Sequence, residues 1–326
     1  MSTQPKLKFA FYWAASCGGC EIAVLDVDEA ILDVVALADI VFWPVAIDIK
    51  YKDVEAMPDK SIDVCFFNGA VRNEEQEYLA KLLRGKAKVL VAFGSCAHLG
   101  GVPGLANVSD KKEIFTTVYL NNPSTCNPEG VVPQTRFKVP EGELKLPEFH
   151  DTVKALNQVV DVDYYLPGCP PTPKRIVEAV LAIAKGQLPP KGTVLGPLKS
   201  VCDECPRKKE DKKIHHIYRV YEITPELEKC LLEQGIICMG PATRGGCDAQ
   251  CISANMPCTG CGGPCPKVAE QGAAMISALA SILGVEEEKN KEFNPDKLIA
   301  QVKDPLGTFY RYALPASILQ RKVMKK

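Results

Sequence analysis

No run of apolar residues in this 326-residue chain is long enough to cross a bilayer. The opening stretch, Met1-Ser-Thr-Gln-Pro-Lys, has no apolar h-region and no twin arginine. The expected location is therefore cytoplasmic, without direct membrane insertion. Charge of neither sign is in excess: the net charge is −1, which gives no electrostatic case for nucleic acid or an anionic membrane as partner. Tandem repeats and low-complexity tracts are missing. So are the G-x-G-x-x-G, P-loop, H-E-x-x-H and G-x-S-x-G patterns that would carry nucleotide, zinc-protease or hydrolase chemistry.

Apolar residues make up 46% and charged residues 24%, the balance of a globular chain long enough for two domains. The excess is in cysteine, with fifteen. A reducing compartment disfavours disulfides, and a secreted disulfide framework would be a small domain behind a signal peptide. Thiolate ligands for iron or zinc remain. Nine of the fifteen cysteines lie between Cys202 and Cys265.

The chain opens on a buried strand around Phe9-Ala-Phe-Tyr-Trp, a turn holding Cys17-Gly-Gly-Cys20, and an amphipathic pattern through Ile22, Leu25, Val27, Ala30, Ile31, Val34 and Val35. Strand, turn and helix in that order predict a doubly wound parallel α/β fold, which places ligands at the carboxyl ends of its strands. Further strands are expected at 40–44, 62–69, 89–93 and 162–166, and helices at 74–84, 151–160, 173–185 and 268–283. Gly94-Ser-Cys-Ala97 is expected to be a turn. The Pro/Gly/Asn-rich segment 100–147 is expected to be a long excursion at the mouth of the sheet. Composition changes at Gly186–Gly192, which divides the chain into 1–190 and a cysteine-rich part, 191–326.

Cys17, Cys20, Cys96 and Cys169 each follow a candidate parallel strand, so a doubly wound sheet brings them to one edge. Four thiolates meeting there would hold a cubane iron–sulfur cluster. A thioredoxin-type Cys-x-x-Cys is the rival for the first pair, but it leaves Cys96 and Cys169 unexplained. A flavodoxin phosphate loop would need a Ser/Thr-rich first turn, which is absent. In the second part, Cys202-x-x-Cys205, Cys230, Cys238, Cys247, Cys251, Cys258-x-x-Cys261 and Cys265 suit either two zinc sites or two 4Fe-4S clusters. Spacing alone does not separate the metals. The run Lys208–Lys213 reads as a solvated loop, Cys65 as a core thiol, and Glu21 as a helix-dipole partner.

The strand into Cys17-Gly-Gly-Cys20-Glu21, the Gly94-Ser-Cys-Ala97 turn and the Gly168-Cys-Pro-Pro171 turn, in this order, resemble the small subunit of NiFe hydrogenases. Gly240-Pro-Ala-Thr-x-x-x-Cys247 and Pro257-Cys-Thr-Gly-Cys261 resemble the cluster domain of the same family. The resemblance implies a flavodoxin-like domain (1–190) whose Cys17, Cys20, Cys96 and Cys169 hold a proximal 4Fe-4S cluster. A small irregular domain (191–326) would hold two more. The medial cluster would be on Cys247, Cys251, Cys258 and Cys261. The distal one would be on Cys202, Cys205, Cys238 and Cys230, with Cys265 the substitute for Cys230. The implied chain is an electron-transfer subunit that serves a nickel–iron centre on a separate large subunit. It looks closest to the cytoplasmic, methyl-viologen-reducing group found with heterodisulfide reductase in methanogens, which implies an iron–sulfur or flavin acceptor protein. Two alternatives stand beside it. One is the related cluster-bearing, quinone-reducing subunit of a complex I-like enzyme, whose motif begins with adjacent cysteines. The other is a zinc-stabilised binding module.

Overall fold

The computed structural model describes residues 5–284 and 295–322 of the chain. In chain order the first part runs β1 (Leu7–Trp13), α1 (Gly19–Leu25), α2 (Ala30–Leu37), β2 (Ala38–Phe42), α3 (Tyr51–Ala56), β3 (Ile62–Asn68), β4 (Val71–Asn73), α4 (Glu74–Lys86), β5 (Ala87–Phe93) and α5 (Gly94–Leu99). It continues through α6 (Lys111–Phe115), β6 (Arg136–Val139), β7 (Gly142–Lys145), β8 (Phe149–Lys154), β9 (Tyr164–Leu166), α7 (Pro173–Ala184) and β10 (Thr193–Val194).

Alternation along β1 explains why this part is layered. Phe9 and Phe11 pack on one face with Phe66, Val91, Phe93 and Leu166, under α1, α2 and α7. Ala10 and Tyr12 pack on the other with Phe42, Cys65, Phe67 and Leu90, over α4. Six strands form one sheet in the order β10-β9-β5-β3-β1-β2, and every neighbouring pair is parallel. Numbered within the sheet, the order is 2-1-3-4-5-6, so the winding reverses between β1 and β3. In such sheets the crevice beyond the carboxyl ends of those two strands is where ligands sit. Cys65 lies within β3, fully buried, as a core thiol.

Three local expectations are corrected. The single helix expected after Cys20 is two, α1 and α2, separated at Asp26–Glu29 where Asp28 takes a left-handed φ of 52°. Its apolar stripe is divided too: Ala23, Val24, Val27 and Val34 are buried, but Ile22 is 58% exposed and Leu25 56%. The helix expected at 151–160 is instead β8, antiparallel to β4, followed by a single turn at Leu156–Gln158. Asn107 acts there as a substitute strand. Its side chain donates to Val153 O at 3.0 Å and accepts from Val153 N at 2.8 Å, holding Thr152-Val153 extended. Gly94–Ala97 is the first turn of a short helix, α5, rather than an open turn. The 100–147 excursion contains the β6/β7 hairpin, with Arg136 opposite Lys145.

Beyond β10 the chain builds a second core from short helices, α8 (Gln250–Ser253), α9 (Gln271–Ile282), α10 (Pro295–Ile299) and α11 (Pro305–Phe309), and single bridges such as Ser200 to Arg244. Met275 is its fully buried centre, packed with Val201, Ile252, Leu279 and Phe309. Hydrogen bonds tie it to the sheet domain: Gly101 N to Tyr312 O (3.0 Å), Gln158 Nε2 to Pro315 O (2.7 Å) and Ser95 Oγ to Cys261 O (2.6 Å).

Candidate metal centres

Cys17 lies in the turn after β1 and Cys20 in the first turn of α1, set apart by Gly18 at a left-handed φ of 81°. Cys96 is in the first turn of α5 and Cys169 in the turn after β9. All four therefore stand at carboxyl ends of parallel strands, and Ser95 N donates to Gly168 O at 2.8 Å to lock two of these turns together. Close approach is the reason for two of the glycines. A Cβ on Gly94 would fall 2.4 Å from Cys20 Sγ, and one on Gly101 would fall 2.4 Å from Cys96 Sγ.

The electrostatics of these thiols reflect their proximity. Burial pushes Cys96 up to about 12, and Cys169 and Cys17 add to the effect. Burial, then Cys96, Cys169 and Cys17, raise Cys20 well above the thiol range. Thiols that face one another in a low-dielectric site cannot all ionise on their own. Positively charged iron is the partner that reverses this, so the donor set fits a metal group.

Next to Cys20, Glu21 is 3% exposed and accepts from the Trp43 indole N–H and the Asn68 amide. Asn68 in turn accepts from Ser16 Oγ at 2.7 Å. Glu21 thus braces the Cys17/Cys20 turn against β3, a role that its place at a helix start does not reveal.

Cys247, Cys251, Cys258 and Cys261 line one cavity of about 60 Å³, together with Gly168, Pro170, Arg175, Thr243 and Arg244. Gln271 Nε2 donates to Gly260 O, Gly263 O and Thr243 Oγ1 at 3.0–3.1 Å, which fixes the Cys258–Cys261 loop. Burial raises Cys261 to about 12, and a hydrogen bond from the Cys169 backbone N–H opposes it.

Cys202, Cys205, Cys230 and Cys238 line a separate cavity of about 240 Å³ with Arg207, Lys209, Leu231, Leu232, Pro241 and Ile252. A Cβ on Gly240 would come within 3.1 Å of Cys202 Sγ and 3.6 Å of Cys238 Sγ. Burial, then Cys238, Cys230 and Cys205, raise Cys202 to about 12. Cys258 N donates to Cys238 Sγ at 3.3 Å. The three quartets thus follow one another in a row: Ser95 Oγ, one residue before Cys96, donates to Cys261 O, and Cys258 N donates to Cys238 Sγ.

Cys265 donates to Pro241 O at 3.6 Å and does not line the cavity that holds Cys230. Cys126 is exposed on the excursion. His98 is buried, its pKa lowered to about 3 by burial and then by Arg244, and its ring lies 4.8 Å from that of Tyr165. The basic run expected to be a solvated loop supplies one cavity-lining residue, Lys209, and Arg207 just before it supplies another. Charge pattern alone could not find them, because the cavity exists only once the loops are folded.

Among known proteins, residues 17–183 match the family model of the NADH ubiquinone oxidoreductase 20 Kd subunit. The chain is 44% identical over 325 residues to the iron-sulfur subunit of the F420-non-reducing hydrogenase of Archaeoglobus profundus, covering 98% of this chain and 99% of that one. It is 39% identical to the corresponding F420-non-reducing hydrogenase subunit of Methanothermobacter marburgensis, covering 98% of each. Among solved structures, the H2-activated [NiFeSe]-hydrogenase of Dm. baculatum matches with a TM-score of 0.51 at 17% identity, over 80% of this chain and 95% of that one, a likeness of fold. The full-length matches extend through the second cysteine-rich part, beyond the residues the 20 Kd family model covers. The chain belongs to the family of F420-non-reducing hydrogenase small subunits, the electron-transfer subunits of a hydrogenase, within the broader family of the NADH ubiquinone oxidoreductase 20 Kd subunit.

Proposed function

We propose that this subunit holds three 4Fe-4S clusters and conducts electrons from dihydrogen, oxidised at a nickel–iron centre on a separate large subunit, to an iron–sulfur or flavin protein such as a heterodisulfide reductase complex. The proximal set is Cys17, Cys20, Cys96 and Cys169 on a sheet domain of about 190 residues. The medial set is Cys247, Cys251, Cys258 and Cys261, and the distal set Cys202, Cys205, Cys230 and Cys238, on the cysteine-rich remainder. The observation that carries this reading is the row of quartets bridged by Ser95 Oγ–H to Cys261 O and Cys258 N–H to Cys238 Sγ. Groups of this kind supply reversible one-electron chemistry at potentials from roughly −700 to +450 mV.

The protein's own part is ligation, spacing and insulation. Burial of Cys20, Cys96, Cys238 and Cys258 excludes water, and amides aimed at sulfur favour its charged form. The end of the row nearest the large subunit is marked by exposed apolar residues beside the first cysteine turn: Trp13 is 41% exposed, and Ile22 and Leu25 exceed half. Such a patch suits a large, permanent partner. Among the described residues no helix is long and apolar enough to cross a membrane.

Zinc in the second part is the rival that the spacing of its cysteines leaves open, since either metal takes four thiolates. The test is anaerobic iron, zinc and nickel quantification of the purified complex, resolved by subunit, with EPR spectra after dithionite reduction. About twelve irons on this chain, no zinc, and nickel only on the large partner are expected. About four irons with two zincs would overturn the reading for the second part.

A further inference from the structure

We propose that Arg207 tunes the distal centre, its Nε–H donating a hydrogen bond to the cluster held by Cys202, Cys205, Cys230 and Cys238. The proposal rests on the reading of those four cysteines as cluster ligands. The guanidinium has five N–H donors. Nη1 donates to Glu226 O and Lys229 O, and Nη2 donates to Ile252 O and Asn255 Oδ1. These four contacts account for all four terminal hydrogens. Nε is buried and has no acceptor in the protein. Buried N–H groups are almost always paired, and a charged one is the costliest to leave unpaired.

Arg207 lines the wall of the cavity the four thiols surround. Among the described residues no carboxylate forms an ion pair with it, whereas Lys209 on the same wall is 3.3 Å from Asp211. An unopposed, permanently charged donor beside four thiolates is matched to a group of net negative charge.

The four occupied donors hold the guanidinium in one place on that wall. They clamp the segment leading into Cys230, through Lys229 O, against the end of α8, through Ile252 O. Arg207 itself lies two residues after Cys205. Reduction at this site adds one electron and one negative charge, with no bond made or broken. A donor aimed at the sulfur therefore favours the reduced form and raises the potential. Being furthest along the row from the proximal set, this is the end from which electrons leave. Arg207 thus sets the driving force for transfer to the acceptor.

The test is an EPR-monitored redox titration, with iron quantification, of the whole hydrogenase complex carrying Arg207→Gln, Arg207→Lys or Asn255→Ala. The distal signal is identified by its change in Cys205→Ser. With all clusters loaded, Arg207→Gln should disfavour distal reduction about tenfold, a fall of ~59 mV for one electron, while the other two potentials stay fixed. Arg207→Lys keeps the charge without the fork and should shift less. Asn255→Ala weakens the same clamp without touching Nε and should not shift the potential. If Arg207→Gln fails to load the distal cluster, Arg207→Lys carries the comparison. An unmoved potential in the loaded Arg207 variants, or an equal shift in Asn255→Ala, would overturn the proposal and leave Arg207 a structural clamp. Zinc in place of distal iron in the wild-type complex would instead overturn the cluster reading itself.

Discussion

Ser95 donates its hydroxyl to the backbone carbonyl of Cys261 at 2.6 Å. The bond leaves α5 one residue before Cys96 and reaches the loop of Cys258 and Cys261. Two of the proposed ligand sets, on different cores, are therefore held together by a bond one residue away from Cys96, and the spacing between them is built into the fold.

Removing that hydroxyl tests the spacing. Ser95→Ala leaves a buried carbonyl without its partner, at a cost of about 1–2 kcal/mol. The expected result is full iron content, a lower melting temperature, and hydrogen-dependent viologen reduction slowed several-fold. Unchanged turnover at unchanged iron content would show that the bond does not govern transfer between the two sets.

Two glycine substitutions should act in opposite directions. Gly94 has a φ of 84°, and a Cβ there would press to 2.4 Å from Cys20 Sγ. Gly94→Ala should displace this ligand and remove about four irons of twelve. Gly85 lies inside α4, where an added Cβ meets nothing within 4 Å. Gly85→Ala should raise stability by ~1 kcal/mol and leave iron untouched. Iron content and denaturant midpoints of the two variants check both statements together.

Much of this architecture is legible in the sequence because parallel strands announce themselves as short apolar runs. A cysteine just after such a run has a defined place at the sheet's edge, which is why Cys17, Cys20, Cys96 and Cys169 can be grouped from position alone. β8 is not legible: Asp151–Val160 has helical spacing, and partners distant in sequence, β4 and Asn107, hold it extended. The break at Asp28 is hidden because Ile22, Leu25 and Val35 are apolar although they face outward. Their periodicity imitates a core stripe. In the second part, spacing gives ligand types but no grouping, since the loops that bring Cys202 and Cys230 to one cavity have no regular period. Arg207 cannot be told from its solvated neighbours for the same reason.

Asp163 anchors the sheet end opposite the cysteines. It accepts from Arg84 Nη1 at 2.6 Å, Lys191 Nζ at 2.7 Å and Leu90 N at 2.8 Å. Burial alone would raise its pKa, but these bonds outweigh burial and hold the carboxyl below the usual range. A depressed folded-state pKa contributes stability that is complete above the unfolded value of about 3.9 and is lost as pH falls through the folded one. Asp163→Asn should cost ~3 kcal/mol at neutral pH by removing the carboxylate that Arg84 and Lys191 share. The gap between variant and wild type should begin to narrow below about pH 4. Denaturant titrations of both proteins from pH 7 to pH 3 measure it, and a gap independent of pH would assign the loss to packing.

The outward-facing residues of α1 allow stability and assembly to be separated. Ile22 and Leu25 are more than half exposed and belong to no buried core of this chain, so replacing both with glutamate should leave the fold intact. If the large subunit covers this face, the same change puts two charges into a desolvated interface. Loss of about 3 kcal/mol there would weaken assembly roughly 100-fold. The expected outcome is a small subunit with all of its iron that no longer co-purifies with its nickel-bearing partner. Hydrogen-dependent activity would then be lost, while dithionite still reduces the clusters. Co-purification at wild-type yield would place the large subunit on another face and leave the exposed apolar residues beside Cys17 without that explanation.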